Sequence, residues 1–277
     1  MSEGNADQRL AWEQGVGATW VAHADEMDRR LAPVTALLVE RAAPARGEWV
    51  LDVGCGTGAL TSRLAELVGR EGRVVGVDIS AAMLGAARRA VPPGVELLHA
   101  DAQDHMFPQA AFDLVVSRFG VMFFAEPVLA FRNVRRAMRG NAKLCFAAWA
   151  PLAENPHWEL PLSIVARRLG SPEPKDPRAP GPLAFADEGY VRGILAAAGF
   201  QAIDSSRERL LLPGGSAQEE AAHGLTLGPA ARLLDERQPD LDTRAAILGE
   251  LAEAFRRYER GGRCAVPATV IIASAEA

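Results

Sequence analysis

The sequence predicts an α/β fold in which an open, doubly wound and mostly parallel sheet of seven strands carries helices on both faces. Short apolar runs alternate with helical patterns from Glu48 onward, which is typical of a parallel sheet with covering helices. Five strand-and-helix units follow one another, and two further strand-like runs come near the carboxyl terminus. A chain of 277 residues can bury a sizeable core, so we expect one domain with a substantial insertion.

Each strand is predicted from a short run of apolar or β-branched residues bounded by turn residues. In chain order the runs are WVLDV (49–53), RVVGVD (73–78), VELLHAD (95–101), FDLVVS (112–117), KLCFAAW (143–149), RERLLLP (207–213) and PATVIIASA (267–275). Because helical segments follow the first, second and fourth of these runs, we expect the first five strands to be parallel.

Helical spacing connects these first five strands. Leu60, Leu64 and Leu67 share one face of the first helix, and small residues form the second over about 81–90. Pro127 suits the first turn of a third helix, whose apolar stripe lies opposite several arginines. The pattern therefore predicts helices that cover the sheet after the first, second and fourth strands.

The remaining segments predict a cap and a lid around the sheet. Residues 1–45 form an N-terminal helical cap, and 46–150 form the strand-rich core. Residues 151–186 form a lid insertion that contains SPEPKDPRAPGP, a proline-rich connector unsuited to a helix or a central strand. Residues 187–277 complete the sheet and carry a helical insertion over about 217–260.

Charge and composition restrict the partners. The formal net charge of −5 and the pI of about 5.6 disfavour a nucleic-acid partner, which normally requires a basic face. The N-terminus lacks a basic region followed by an apolar stretch, and no window approaches the roughly 18 apolar residues of a membrane span. We expect a cytoplasmic monomer or homodimer without a membrane span. Cys55, Cys145 and Cys264 are widely spaced, so neither a disulfide framework nor a zinc site is expected.

A glycine-rich turn marks the first candidate site. Gly54, Gly56 and Gly58 follow the first strand and Asp52 in VLDVGCGTGAL. Such a turn lets backbone amides approach a ligand at the positive end of a helix dipole. The spacing is GxGxG rather than the dinucleotide fingerprint GxGxxG, and no Lys-Ser or Lys-Thr pair follows. The turn therefore disfavours a pyrophosphate ligand.

Acidic residues at successive strand ends suggest what the turn binds. Asp52 would repel a phosphate but suits an ammonium group, and Asp78 is placed to accept hydrogen bonds from both ribose hydroxyls. Asp101 and Ala102 follow the third strand, where they can read an adenine edge. Together these residues suggest a nucleoside that carries a positively charged amino acid. Taken singly, Asp78 also fits the N-cap of the next helix, and Asp101 fits a turn.

Four segments resemble a known family. VLDVGCGTG, VVGVDIS, HADAQD and FDLVVSRFGVMFF occur in the order and spacing of class I S-adenosylmethionine-dependent methyltransferases, most like the ubiquinone/menaquinone-biosynthesis branch. The similarity covers about residues 48–149. It implies a Rossmann-like core, S-adenosylmethionine as cofactor and S-adenosylhomocysteine as product.

The resemblance also implies which residues bind the cofactor. The glycine turn would contact the methionine portion, Asp52 its ammonium through water, Asp78 the ribose diol and Asp101 the adenine amino group. Arg118 would reach the methionine carboxylate, although a surface ion pair is an equal alternative. The implied set is Asp52, Gly54, Cys55, Gly56, Thr57, Gly58, Asp78, Ile79, Met83, Asp101, Ala102, Ser117 and Arg118.

Residues for the acceptor are sought in the cap and lid. His23, His157 and His223 are candidates for a catalytic base or for substrate contact, and each alone also fits an exposed or capping role. The candidate pocket walls, which also fit core packing, are Trp12, Trp20, Phe119, Met122, Phe123 and Trp158. Metal-dependent relatives need carboxylates at the end of the fourth strand, where this sequence has Ser117 and Arg118. We therefore predict no metal.

The sequence predicts metal-independent, in-line methyl transfer to a small, fairly apolar metabolite such as a phenol, a quinol or a polyketide-like compound. A cofactor-binding protein of the same fold that transfers no methyl group, such as a pericyclase or a carrier, is an alternative. An NAD-dependent oxidoreductase is a third possibility that the glycine spacing disfavours.

Overall fold

The predicted sheet is present in the computed structural model, which describes residues 5–174 and 176–277. Its strands are β1 (Trp49–Val53), β2 (Arg73–Asp78), β3 (Glu96–His99), β4 (Phe112–Arg118), β5 (Met138–Trp149), β6 (Gln201–Pro213), β7 (Glu259–Arg260) and β8 (Arg263–Glu276). Seven of them follow the order β3-β2-β1-β4-β5-β8-β6, and the short β7 pairs with β8 off this path. The pairs from β3 to β5 are parallel, while β8 is antiparallel to both β5 and β6. The mostly parallel α/β fold is confirmed.

Helices precede the sheet, cover it and follow its fifth strand. They are α1 (Ala6–Gln14), α2 (Val16–Ala22), α3 (Ala24–Ala42), α4 (Ala59–Val68), α5 (Ala81–Ala90), α6 (Pro127–Ala137), α7 (Pro156–Leu169), α8 (Glu188–Ala197), α9 (Ala217–Gly224), α10 (Pro229–Arg237) and α11 (Leu241–Phe255). The helices α3, α4 and α5 contact one another in series, whereas α6 contacts α8. None of the helices in the described part of the chain has the length and apolar character that a bilayer crossing requires.

Two apolar clusters hold these elements together. The larger one surrounds the sheet, where Leu51, Val115 and Phe146 are fully buried. The smaller one lies among α7, α9, α10, α11 and the start of β8, with Val165, Leu251 and Val266 fully buried. The late helices therefore pack on one another as well as on the sheet.

Some predicted bounds were wrong at the end of the chain. The strand β6 begins at Gln201 rather than 207, because it pairs with β8 along its length although its early residues are polar. The strand β5 begins at Met138, which pairs with Phe112 across a register shift, and Asn141 has a left-handed φ of 65° within it. The predicted helical stretch 217–260 is three helices and ends at Phe255. Glycine and proline at 228–229 interrupt it, as such residues do.

Candidate active site

A large cavity lies at the carboxyl ends of the parallel strands. Its volume is about 1220 Å³, and the loops after β1, β2, β3 and β4 line it on one side. Residues of α1, α2, α3, α7, α9 and α10 and of the connector 172–184 line the rest. Ligands of open α/β sheets bind outside the carboxyl ends of the strands, so this cavity is the candidate site.

The glycine turn forms part of the floor. Gly54, Gly56 and Gly58 all have left-handed φ values, of 69°, 56° and 90°. A Cβ on Gly54 would lie 2.6 Å from the Cα of Gly120, so the loops after β1 and β4 touch there. A Cβ on Gly58 would lie 2.8 Å from Val91, and Gly58 is not among the lining residues. The first two glycines therefore face the cavity, whereas the third lets α4 pack closely.

Two buried polar atoms beside the glycine turn have no hydrogen-bond partner. They are Asp52 Oδ1 and Thr57 Oγ1, and both residues line the cavity. The other oxygen of Asp52 accepts a hydrogen bond of 2.6 Å from Thr61. Burial raises the pKa of Asp52 to about 6, although the Thr61 hydrogen bond and the Arg118 guanidinium lower it. A cationic donor in the cavity would satisfy Oδ1 and favour the ionised carboxylate.

Asp78 is fixed by backbone amides on both sides. Its Oδ2 accepts from the Gly56 amide and its Oδ1 from the Ser80 amide, each at 2.8 Å. Burial raises the pKa of Asp78, and these two amides oppose that shift. Each carboxylate oxygen has a further lone pair, so the group can also accept from a ligand's hydroxyls.

Asp101 anchors the neighbouring end of the cavity. Its Oδ1 accepts from the Gln103 amide at 2.9 Å, and its Oδ2 accepts from Asn5 Nδ2 at 2.6 Å. Ala102, Ile79 and Met83 line the same cavity. Asn5 was not a sequence candidate, and nothing in the local sequence connects it to a residue 96 positions away.

Ser117 and Arg118 differ in where their side chains lie. Ser117 is fully buried and does not line the cavity, because its Oγ donates to the Val53 carbonyl at 2.7 Å and accepts from the Gly120 amide at 3.1 Å. It holds the loop after β4 against β1. Arg118 does line the cavity, and its guanidinium donates to Asp28 at 3.1 Å. Only 11% of that side chain is exposed, so the surface-pair alternative is wrong about its location.

Aromatic side chains form another part of the cavity lining, called here the aromatic end. All six predicted wall residues line the cavity, namely Trp12, Trp20, Phe119, Met122, Phe123 and Trp158. Phe119 stacks on Trp149 with ring centroids 4.2 Å apart, and Trp12 meets Phe123 edge-on at 5.1 Å. Trp149 also lines the cavity and was missed, because it ends a predicted strand. This end suits a flat, apolar ligand.

The three candidate histidines have different surroundings. His157 is buried between Trp149 and Trp158, at centroid distances of 4.9 and 5.0 Å, and neither ring nitrogen has a partner. Burial, helped by the Arg30 charge, lowers the pKa of His157 to about 3. His23 is half-buried between α2 and α3 and is absent from the lining residues, and its Nδ1 lies 3.6 Å from Glu26 Oε2.

His223 lines the cavity and has a carboxylate partner. Its Nδ1 lies 3.0 Å from Glu26 Oε1. Burial and the Arg30 charge lower the pKa of His223 to about 4, although Glu26 opposes the shift. Because a carboxylate accepts, Nδ1 carries the proton and Nε2 is the basic nitrogen. The arrangement is that of an oriented neutral base.

Arg30 is the charge that sequence reasoning missed. Its guanidinium lines the cavity and forms a bidentate pair with Glu220, in which Nη2 donates to Oε2 at 2.8 Å. Both side chains are almost completely buried. The signal available in the sequence was a charge on the apolar face that Met27, Leu31 and Val34 form on α3. Its partner, 190 residues later, could not be inferred.

No group of three or more His, Cys, Asp or Glu side chains that could hold a metal occurs among the residues the structure describes. The three cysteines are buried and free. Burial raises the pKa of Cys55 and Cys145, which makes both thiols poor nucleophiles.

Comparisons with known proteins agree with this geometry. Residues 50–141 match a family model described as a methyltransferase domain. The chain is 32% identical over 243 residues to the nocamycin O-methyltransferase of Saccharothrix syringae, covering 83% of this chain and 85% of the relative. It is also 32% identical over 127 residues to the ubiquinone/menaquinone biosynthesis C-methyltransferase UbiE of Cellvibrio japonicus, covering 44% of this chain and 49% of that one.

Solved structures share the fold. A phosphoethanolamine N-methyltransferase 2 of Haemonchus contortus, solved with phosphomonomethylethanolamine and S-adenosylhomocysteine, gives a TM-score of 0.53 at 15% identity, covering 88% of this chain and 52% of that chain. The cyclase SpnF gives a TM-score of 0.51 at 20% identity, covering 88% of this chain and 79% of that chain.

Proposed function

Because the chain belongs to the class I S-adenosylmethionine-dependent methyltransferases, we propose that it methylates an acidic hydroxyl of a small, fairly apolar metabolite, such as a phenol, a quinol or a polyketide-like enol. One observation carries the proposal. The glycine turn with its acids and the aromatic wall with its histidines belong to one continuous cavity. A cofactor beside the glycine turn and an acceptor beside the aromatic wall would therefore share this cavity, as methyl transfer between them requires.

We propose that the acids hold the cofactor. Asp52 Oδ1 would accept from its ammonium group, Asp78 would accept from the ribose hydroxyls, and Asp101 would accept from the adenine amino group. The unpartnered atoms Asp52 Oδ1 and Thr57 Oγ1 fit a polar, cationic ligand in this place. When bound, S-adenosylmethionine supplies a methyl group on a cationic sulfur, which is transferred by in-line displacement.

The protein's main task is then alignment. Orienting two reactants recovers roughly 7 to 11 kcal/mol of a barrier, whereas a general base contributes about 10² to 10⁴-fold in rate. The stacked Phe119–Trp149 pair and the Trp12–Phe123 pair offer rigid, flat surfaces for an acceptor ring. A base is needed only because a hydroxyl must lose its proton.

His223 is the proposed base, with Glu26 as its positioning residue. Its pKa of about 4 keeps the imidazole neutral at pH 7, so Nε2 is free to accept a proton. A base this weak suits an acceptor whose hydroxyl is itself acidic, such as a phenol or enol conjugated to a carbonyl group. The Arg30 guanidinium, although it is paired with Glu220, lowers the pKa of both cavity histidines and so helps to keep them neutral.

His157 is the proposed acceptor contact. A buried imidazole with two unpartnered nitrogens offers one donor and one acceptor to a ligand. The two nitrogens point away from each other, so a hydroxyl or carbonyl group of the acceptor would bond to one of them. We further propose that the cap 1–45, the lid 151–186 and the insertion near 217–260 supply much of the acceptor site, while 46–150 supply most of the cofactor site.

A second candidate is a cofactor-dependent protein that closes a ring without methyl transfer. The likeness in fold to the cyclase SpnF and the apolar wall favour it. Ring closure does not need the proposed base His223 near Arg30, so this candidate function accounts for fewer of the cavity residues.

Incubation with S-adenosylmethionine and a panel of phenols, quinols and cyclic 1,3-dicarbonyl compounds tests the proposal. We expect a product heavier by one CH₂ and an equal amount of S-adenosylhomocysteine. An isomerised compound of unchanged mass without S-adenosylhomocysteine would instead support the cyclase. Methylation confined to amines or thiols would contradict the hydroxyl assignment.

A further inference from the structure

Asn5 occupies a helix N-cap without capping the helix. It precedes α1, where an asparagine oxygen normally accepts from the amide two or three residues later. Here the side chain makes no capping hydrogen bond. It is 5% exposed, and its Nδ2 donates to Asp101 Oδ2 at 2.6 Å.

The remaining atom of this amide has no partner. Nδ2 is the donor atom of this amide and makes the contact with Asp101, which fixes the orientation of the amide. Its Oδ1 is then a buried acceptor without a donor, on a residue that lines the cavity. Buried carbonyl groups are rarely left unsatisfied, so a ligand donor is expected at this position.

We propose that Asn5 Oδ1 and the Asp101 carboxylate together bind the exocyclic amino group of the adenine, each accepting one of its two N–H groups. This inference rests on the proposed cofactor site. Two acceptors side by side suit an amino group and repel a carbonyl oxygen at the same ring position. The N-terminal segment thereby takes part in cofactor selection.

The same contact links the two ends of the cavity. Asn5 begins α1, and Trp12, on the last turn of α1, lies at the acceptor wall against Phe123. The Trp12 carbonyl also accepts from Ser80 Oγ at 3.0 Å, next to the loop that fixes Asp78. Cofactor binding therefore stabilises the helix that carries part of the acceptor site.

Calorimetry with two ligands tests the amino-group contact. S-inosylhomocysteine has a carbonyl group in place of the amino group of S-adenosylhomocysteine and an N–H group at ring position 1, so the assignment to Asn5 depends on the change between variants. We expect the wild type to bind the adenine ligand at least tenfold more tightly. Asn5→Ser keeps a good N-cap residue but removes the amide, so the preference should fall about threefold to tenfold. Leu10→Ala, on the exposed side of α1, should leave the preference unchanged.

The outcomes separate this inference from the cofactor site itself. An Asn5→Ser protein that folds like the wild type and keeps the full preference would overturn the role of Asn5. A wild type that binds neither ligand would instead overturn the cofactor site.

Hydrogen exchange gives a second, independent measurement. In the wild type, S-adenosylhomocysteine should slow amide exchange in α1. When the Asn5→Ser protein is saturated with S-adenosylhomocysteine, most of this slowing in α1 should be absent. Equal slowing in both proteins would show that α1 is stabilised by other contacts, which would contradict the proposed link.

Discussion

The two ends of the cavity are built from different parts of the chain and by different chemistry. The glycine-turn end consists of backbone and buried carboxylates contributed by consecutive strand ends within residues 50–120. The aromatic end consists of rings and imidazoles brought together mainly by helices before and after the parallel strands. Recognition at the first end depends on local sequence, whereas at the second it depends on tertiary packing.

Burial shifts the pKa values of ionisable groups at the two ends of the cavity in opposite directions. It raises the pKa of Asp52 to about 6 and lowers that of His157 to about 3, so both groups are pushed towards their neutral forms. A cationic ligand restores the charge on Asp52. The histidines remain neutral, which is the state in which they can accept a proton or a hydrogen bond.

The largest expected effect is at the aromatic end. His223→Gln removes the proposed base, so the rate constant kcat should fall about 10² to 10⁴-fold for a hydroxyl acceptor. Binding of S-adenosylhomocysteine, measured by calorimetry, should stay within about twofold, because the base lies at the other end. His105→Gln, whose ring packs on Phe107, is the matched control. If kcat of the His223→Gln enzyme were unchanged, His223 would not be the base, and alignment of the reactants alone would account for catalysis.

At the glycine-turn end we expect a variant to lose cofactor affinity. Asp78→Asn removes the charge and one of the two acceptors for the Gly56 and Ser80 amides, so the affinity for S-adenosylhomocysteine should fall about 100-fold. Calorimetry gives the dissociation constant. Asp113→Asn is the matched control, since its carboxylate also accepts from a backbone amide, that of Trp49, but lies at the opposite end of the strands. Equal losses in both variants would show a general weakening of the sheet.

The local character of the glycine-turn end explains why sequence reasoning found it. The bounds of β1, β2 and α5 were predicted to the residue, because apolar runs end there at glycine or at an aspartate–serine pair that starts a helix. The N-cap of α8 is equally local, because the side chain of Asp187 accepts from the Tyr190 amide three positions later. In each case the deciding contacts lie within a few positions along the chain.

The aromatic end could not be predicted in the same way. The candidate residues there were chosen by type, and this selects His23 as readily as His223, although only His223 lines the cavity. Glu26 contacts both rings, at 3.0 Å for His223 and 3.6 Å for His23. What distinguishes His223 is therefore the shorter contact and the Arg30–Glu220 pair beside it. These contacts join α3 to α9 across most of the chain, and no local pattern records them.

A stability measurement tests the opposite pKa shifts. The unfolded chain binds a proton at His157 near pH 6.5, whereas the folded chain resists protonation until about pH 3, so stability falls as the pH is lowered from 7 to 5. Over this pH range the contribution of His157 lowers the free energy of unfolding by about 2 kcal/mol. Asp52 acts in the opposite direction, because its folded form takes up a proton near pH 6, before the unfolded chain does, and gains about 1 kcal/mol.

Urea unfolding at pH 7 and pH 5 separates the two contributions. His157→Phe should lose less stability on acidification than the wild type, and Asp52→Asn should lose more. Parallel changes in the two variants would contradict the assignment of opposite shifts to the two ends.

The smallest expected effect is the pH dependence of cofactor binding. The proposed ammonium contact needs an ionised Asp52, whose pKa is about 6 in the unliganded protein. Between pH 7 and pH 5 the affinity for S-adenosylhomocysteine should therefore fall about tenfold, or roughly 1.4 kcal/mol. The cavity histidines should add little, because the pKa values of His157 and His223 lie at about 3 and 4. Asp52→Asn should bind more weakly at pH 7 and show a nearly flat profile. If this variant kept the wild-type slope, the titrating group would lie elsewhere, and the ammonium would be held by backbone carbonyls or water.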